Sequence, residues 1–129
     1  MPATGGRIWR RHAVPTIYGI PNCDTMKKAR AWLADHGVEV VFHDYRKAGI
    51  DLARLRDWDA AIGWETLLNR RGTTWRKVPE ELRAKIDRDS ALQLMIDNPS
   101  IIKRPILALD DGRYLVGFNA DDYQQAFGN

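Results

Sequence analysis

Thr16-Ile17-Tyr18-Gly19-Ile20-Pro21-Asn22-Cys23-Asp24-Thr25-Met26-Lys27-Lys28 is the stretch whose reading decides the fold. A β-branched and aromatic run, Thr16–Ile20, meets a Pro-Asn turn and then gives way to helical spacing. Met26, Ala29, Trp32 and Leu33 fall on one face of a helix that runs to about His36. Gly37 stands where a helix ends, and His36 in the last turn reads as a capping residue. Val38–Tyr45 alternates well enough to predict a second strand. Strand, helix and strand in that order imply parallel strands joined by a right-handed crossover.

Outward from this opening, the middle of the chain reads as helical. Asp51 is placed to cap a helix that turns Leu52, Leu55, Trp58 and Ile62 inward and ends at Gly63. Trp64–Asn69 predicts a shorter helical piece, broken by Arg70-Arg71-Gly72-Thr73-Thr74-Trp75. Pro79 opens another helix at its first turn, where a missing N–H costs nothing. A further helix, Asp89–Asp97 with Leu92, Met95 and Ile96 buried, stops before Pro99. Pro105–Leu109 and Arg113–Phe118 flank Asp110-Asp111-Gly112, a hairpin signal, and Asn119 caps a last helix through Phe127. The expected order is β-α-β, a helical insert over about residues 50–98, then β-β-α.

The 129 residues, 44% hydrophobic and 29% charged, fit a globular protein able to bury a core without staples. No apolar run approaches the ~20 residues that span a bilayer. The start lacks the apolar core of a secretory signal, so the expected location is the cytoplasm. Lys and Arg number 20 against 17 Asp and Glu, and Arg7, Arg10 and Arg11 account for that excess. The basic balance therefore belongs to residues 1–15, read as a disordered leader, with 16–129 as one domain. Neither nucleic acid nor membrane is expected as a partner.

A single cysteine excludes an internal disulfide and a C-x-x-C pair, and it suits a reducing compartment. His12, His36 and His43 show no ligand spacing with Cys23, so no metal is expected. What remains is one nucleophile at a helix start, where free N–H groups and the macrodipole favour thiolate. Asn22 and the amides of Asp24 to Met26 can donate to that thiolate or to a bound anion, and Lys27 adds positive charge one turn on. Arg104 precedes Pro105 at a strand entry, where the peptide bond is a candidate for cis. Arg70, Arg71, Arg76 and Lys77 form a basic loop suited to an anionic substrate. Asp24 opposes these groups, since its negative charge beside the thiol raises the thiol's pKa.

Taken together, Tyr18–Arg30, Phe42–Arg46, Leu67–Asn69 with Arg71–Lys77, Ile101–Pro105 and Gly117-Phe118 resemble the ArsC/Spx family, and within it the YffB-type branch. The resemblance spans residues 16 to about 127. It implies a thioredoxin-like fold with a helical insert after the second strand, and Cys23 as catalytic thiol facing a cis Arg104-Pro105. Arsenate reductases of the family attack arsenate with this cysteine, hold the oxyanion with three arginines, and finish with glutathione and glutaredoxin. Here Cys23 and Arg104 match. The insert arginine falls on Asn69, beside Arg70 and the YffB-type Arg71, and the third arginine falls near Gly117. Gly19 occupies the place of the histidine that precedes the cysteine loop in arsenate reductases. Spx-type regulators that dock on RNA polymerase usually carry a C-x-x-C switch, and Met26 stands at its second position.

The expected function is a glutathione-dependent monothiol reductase with Cys23 as nucleophile. It uses glutathione as co-substrate with no bound cofactor, and glutaredoxin is a candidate partner. Asn22, Lys27, Arg71, Arg104 and Pro105 make up the expected substrate and glutathione site. Two other readings stand beside it: reduction of arsenate or a similar oxyanion, and a non-catalytic Spx-like module that binds RNA polymerase.

Overall fold

A computed structural model describes residues 14–128. The expectation of a disordered leader concerns residues of which 1–13 lie outside the described ones. The chain divides into two compact units, one of residues 14–43 with 104–128, the other Asp44–Lys103.

The first unit is built on a four-stranded sheet in the order β2-β1-β3-β4. Its strands are β1 (Thr16–Gly19), β2 (Val41–Asp44), β3 (Ile106–Ala108) and β4 (Tyr114–Val116). The second strand is shorter than Val38–Tyr45 predicts. It begins where the Val41 N–H donates to the Pro15 carbonyl at 2.9 Å. β3 runs antiparallel to both neighbours, with Leu107 opposite Ile17 on one side and Leu115 on the other. That row faces α1 (Asp24–Asp35) and α8 (Ala120–Phe127). Met26, Ala29 and Leu33 from α1 and Tyr123 from α8 close a cluster over Ile17, Leu107 and Leu109. The helix starts and stops follow local chemistry. Asn119 accepts from the Asp122 amide to cap α8. At the other end of α1, His36 Nδ1 lies 2.8 Å from the Trp32 carbonyl and Gly37 takes φ 69°, as its capping role requires.

Tyr123 is fully buried, and its hydroxyl has no hydrogen-bond partner among the described residues. Burial pushes the phenol's pKa well up, because the phenolate has lost its water. A buried hydroxyl without a partner costs about 1–3 kcal/mol, so its removal restores much of that. Tyr123→Phe is therefore expected to hold or raise the urea midpoint at unchanged slope, and a clear fall would show a partner for the hydroxyl.

The second unit is helical: α2 (Tyr45–Ala48), α3 (Leu52–Ile62), α4 (Trp64–Leu67), α5 (Thr73–Arg76), α6 (Glu80–Ala84) and α7 (Arg88–Asp97). α2 is a turn the sequence pattern did not predict. The Asp44 carboxylate accepts from the Arg46 and Lys47 amides and so starts it, and Tyr45, expected in the strand, becomes a buried helical residue. Asp51 caps α3 through the Arg54 amide, and Leu55 and Trp58 are fully buried as expected. Leu52 is 37% exposed, contrary to the inward reading. It is the first residue of its helix, before the apolar face is established. Pro79 sits at the N-cap of α6 and not within its first turn. Asp87 and Ser90 form a reciprocal capping box on α7. A 3-10 turn, Pro99–Ile101, closes the unit. There the Asn69 amide reaches the Ile101 carbonyl and the Lys103 amide the Leu67 carbonyl, each at 2.8 Å.

No described helix is long and apolar enough to cross a membrane.

Candidate active site

The site begins with the end of β1. Gly19 and Ile20 are buried, Pro21 and Asn22 turn outward, and Cys23 takes extended backbone angles (φ −128°, ψ 129°) as N-cap of α1. From that position its carbonyl accepts the first helical bond, from Lys27 N–H at 2.9 Å. Sulfur makes no close capping hydrogen bond, as expected of a large and weak acceptor. The thiol is nonetheless directed at the free amides of the first turn and at the Arg104 guanidinium.

The balance of forces on this thiol decides its chemistry. Partial burial pushes its pKa up, the largest single influence. The Met26 amide, the Arg104 side chain and the Thr25 amide oppose burial, and Arg104 adds its charge. Their sum wins, and the Cys23 thiol lies below the ordinary cysteine value. Asp24, the opposing charge named from the sequence, does not reverse this result. Its side chain is exposed to water, where a neighbouring charge is screened.

Of the other residues singled out, Arg104 and Pro105 lie in the same unit as Cys23. Their peptide bond is cis, and Pro105 is buried while Arg104 is half-buried. Asn22 is exposed in the turn before α1, and Lys27 is exposed on α1. Arg71 belongs to the second unit. There its amide donates to Asn69 Oδ1 at 3.1 Å, and its carbonyl accepts from the Arg76 guanidinium at 3.3 Å. The Arg70 guanidinium lies over the Trp75 ring, 5.7 Å from its centroid. Among the described residues, no group of three or more His, Cys, Asp or Glu side chains is placed to hold a metal.

A thiol whose pKa is lowered by helix-start amides and one arginine, on a sheet with a helical insert, has clear relatives. The ArsC family model matches residues 18–126. The chain belongs to the ArsC family.

A protein named YFFB is 53% identical over 88% of this chain and 98% of its own, with a TM-score of 0.84. An arsenate reductase (ArsC) related protein from Brucella melitensis is 51% identical over 90% and 96% of the two chains, with a TM-score of 0.73. The global transcriptional regulator Spx of Enterococcus faecalis is 30% identical over 115 residues, 85% of this chain and 83% of that one. The thioredoxin-like fold with a helical insert is thus shared with ArsC-family proteins, and the YffB-type resemblance is borne out.

Proposed function

We propose that this ArsC-family protein is a glutathione-dependent monothiol reductase. The observation that supports the reading most directly is Cys23 itself, a lowered-pKa thiol with no second cysteine in the chain. Cys23 thiolate attacks the glutathione sulfur of a mixed disulfide, forming a Cys23–glutathione disulfide and releasing the substrate's thiolate. A second glutathione thiolate then attacks the glutathione sulfur of that adduct, releasing oxidised glutathione and regenerating Cys23 thiolate. Two glutathione sulfurs leave as one disulfide, and the substrate sulfur is reduced. The first-turn amides and Arg104 assist twice, because a stabilised thiolate is abundant as nucleophile and good as leaving group. Arg104, Asn22 and Lys27 supply donors and positive charge for the carboxylates of glutathione, and Pro105 follows Arg104 through the cis bond at the entry to β3.

Intact mass spectrometry tests this directly. A low-molecular-weight glutathione mixed disulfide is expected to convert the protein to a one-glutathione adduct, and excess glutathione to remove it. An adduct that forms but resists glutathione would end the catalytic reading. The similarity to Spx then favours the regulatory one, whose signature is co-purification with RNA polymerase unaffected by Cys23→Ser. Arsenate-dependent oxidation of glutathione and glutaredoxin would instead move the substrate from sulfur to an oxyanion.

A further inference from the structure

Met26 stands third in α1, and its amide is the strongest of the influences that favour the Cys23 thiolate. Its side chain does something the sequence does not reveal. It is fully buried in the cluster with Ile17, Ala29, Leu33 and Leu107, and it lies directly against Gly19 at the end of β1. A methyl group built on Gly19 would lie 2.8 Å from Met26 Cε and 3.3 Å from Cγ, with Sδ closer still. Carbon atoms pack at about 3.5–4.0 Å, so the thioether occupies the space a β-carbon would need. Gly19 takes no unusual backbone angle that would itself demand glycine. What it provides is the notch.

We propose that Met26, seated in the notch over Gly19, is a positioning residue that holds the first turn of α1 against the sulfur of Cys23. The proposal rests on the catalytic reading only for its use, since the geometry concerns the thiol alone. A helix start has no preceding turn to fix its amides, and those N–H groups are the ones left unpaired. The Met26 side chain supplies the missing fixture from below: it ties the third residue of the helix to the strand that ends four positions before the cysteine. Methionine suits this place because an unbranched thioether fills an irregular gap. The same position, as cysteine, would hold a resolving thiol. As methionine it anchors the turn and leaves Cys23 dependent on an external thiol.

The test is the pH profile of Cys23 alkylation by a neutral reagent, read by intact mass, in a cycle of variants at both positions. Met26→Ala is expected to raise the midpoint and leave roughly threefold less thiolate at neutral pH, which is about half a pH unit. Met26→Leu, which keeps the volume, is expected to stay near wild type. Gly19→Ala is expected to raise the midpoint as well, because its methyl displaces a side chain with no room to retreat. Gly19→Ala combined with Met26→Ala should fall back toward wild type, as the new methyl occupies the vacated notch. A Gly19→Ala midpoint equal to wild type would show that Met26 turns aside freely, and would overturn the proposal. So would a double variant no better than Gly19→Ala. Should glutathione fail to cleave the Cys23 adduct while this cycle holds, the catalytic reading falls and the positioning role stands.

Discussion

Cys23→Ser is expected to abolish glutathione-coupled disulfide reduction, and Arg104→Ala to leave a protein with about tenfold less Cys23 thiolate at pH 7. The second figure follows from the loss of one hydrogen bond to a charged group, worth about 1.5–3 kcal/mol, of which the lower end is a factor of ten. The pH dependence separates this explanation from general damage. A thiolate of lower basicity is also less nucleophilic, so Arg104 makes the thiolate abundant at a modest cost in its reactivity. At a pH where wild type and Arg104→Ala are both fully ionised, the variant should alkylate at least as fast as wild type. Slow alkylation at every pH would mean that Arg104 governs access and not ionisation. Arg104→Lys should fall between them, since it keeps the charge and loses the planar fork.

The same depressed pKa carries a consequence for stability. The folded thiol binds its proton less tightly than the unfolded one. Between the folded value and the ~8.5 of an unfolded cysteine, the unfolded chain therefore holds more protons. Stability rises with pH across that window, is fully present above it, and is lost as pH falls through the folded value. In Cys23→Ser this part of the pH dependence should vanish.

How much of this was legible in the sequence depends on range. Caps were legible because their partners lie within three residues: Asp51 with Arg54, and Asn119 with Asp122. The turn at Asp44 obeys the same chemistry and went unread. Val38–Tyr45 alternates, and that period-2 pattern runs on through Asp44 and Tyr45 and masks the capping role of the Asp44 carboxylate. Cys23 as a helix-start thiol was readable from Pro-Asn-Cys followed by helical spacing. That its amides and Arg104 outweigh both burial and Asp24 was not, because exposure decides which charges count. The seat of Met26 over Gly19 was not readable either. Periodicity placed Met26 on the buried face, but its contact with a strand residue is tertiary.

The largest expected loss of stability comes from the helical unit. Trp58 is fully buried at the centre of α3, the helix that Asp59 ties down at both its carboxylate oxygens. Asp59 Oδ1 accepts from the Trp64 amide at 2.8 Å, and Oδ2 pairs with Arg88. These polar anchors sit one residue along from the indole, so the helix cannot slide to fill the space an alanine would leave. Truncations of this kind cost about 3–5 kcal/mol, and the upper end belongs to sites that cannot collapse. Set against a total of about 5–15 kcal/mol for a domain, Trp58→Ala should lower the urea midpoint steeply at unchanged slope. Trp58→Phe, which keeps an aromatic ring in place, should recover most of the loss. A Trp58→Ala midpoint within about 1 kcal/mol of wild type, the size of an ordinary surface change, would show that α3 repacks despite the Asp59 anchors. The rigidity assigned to them would then be withdrawn.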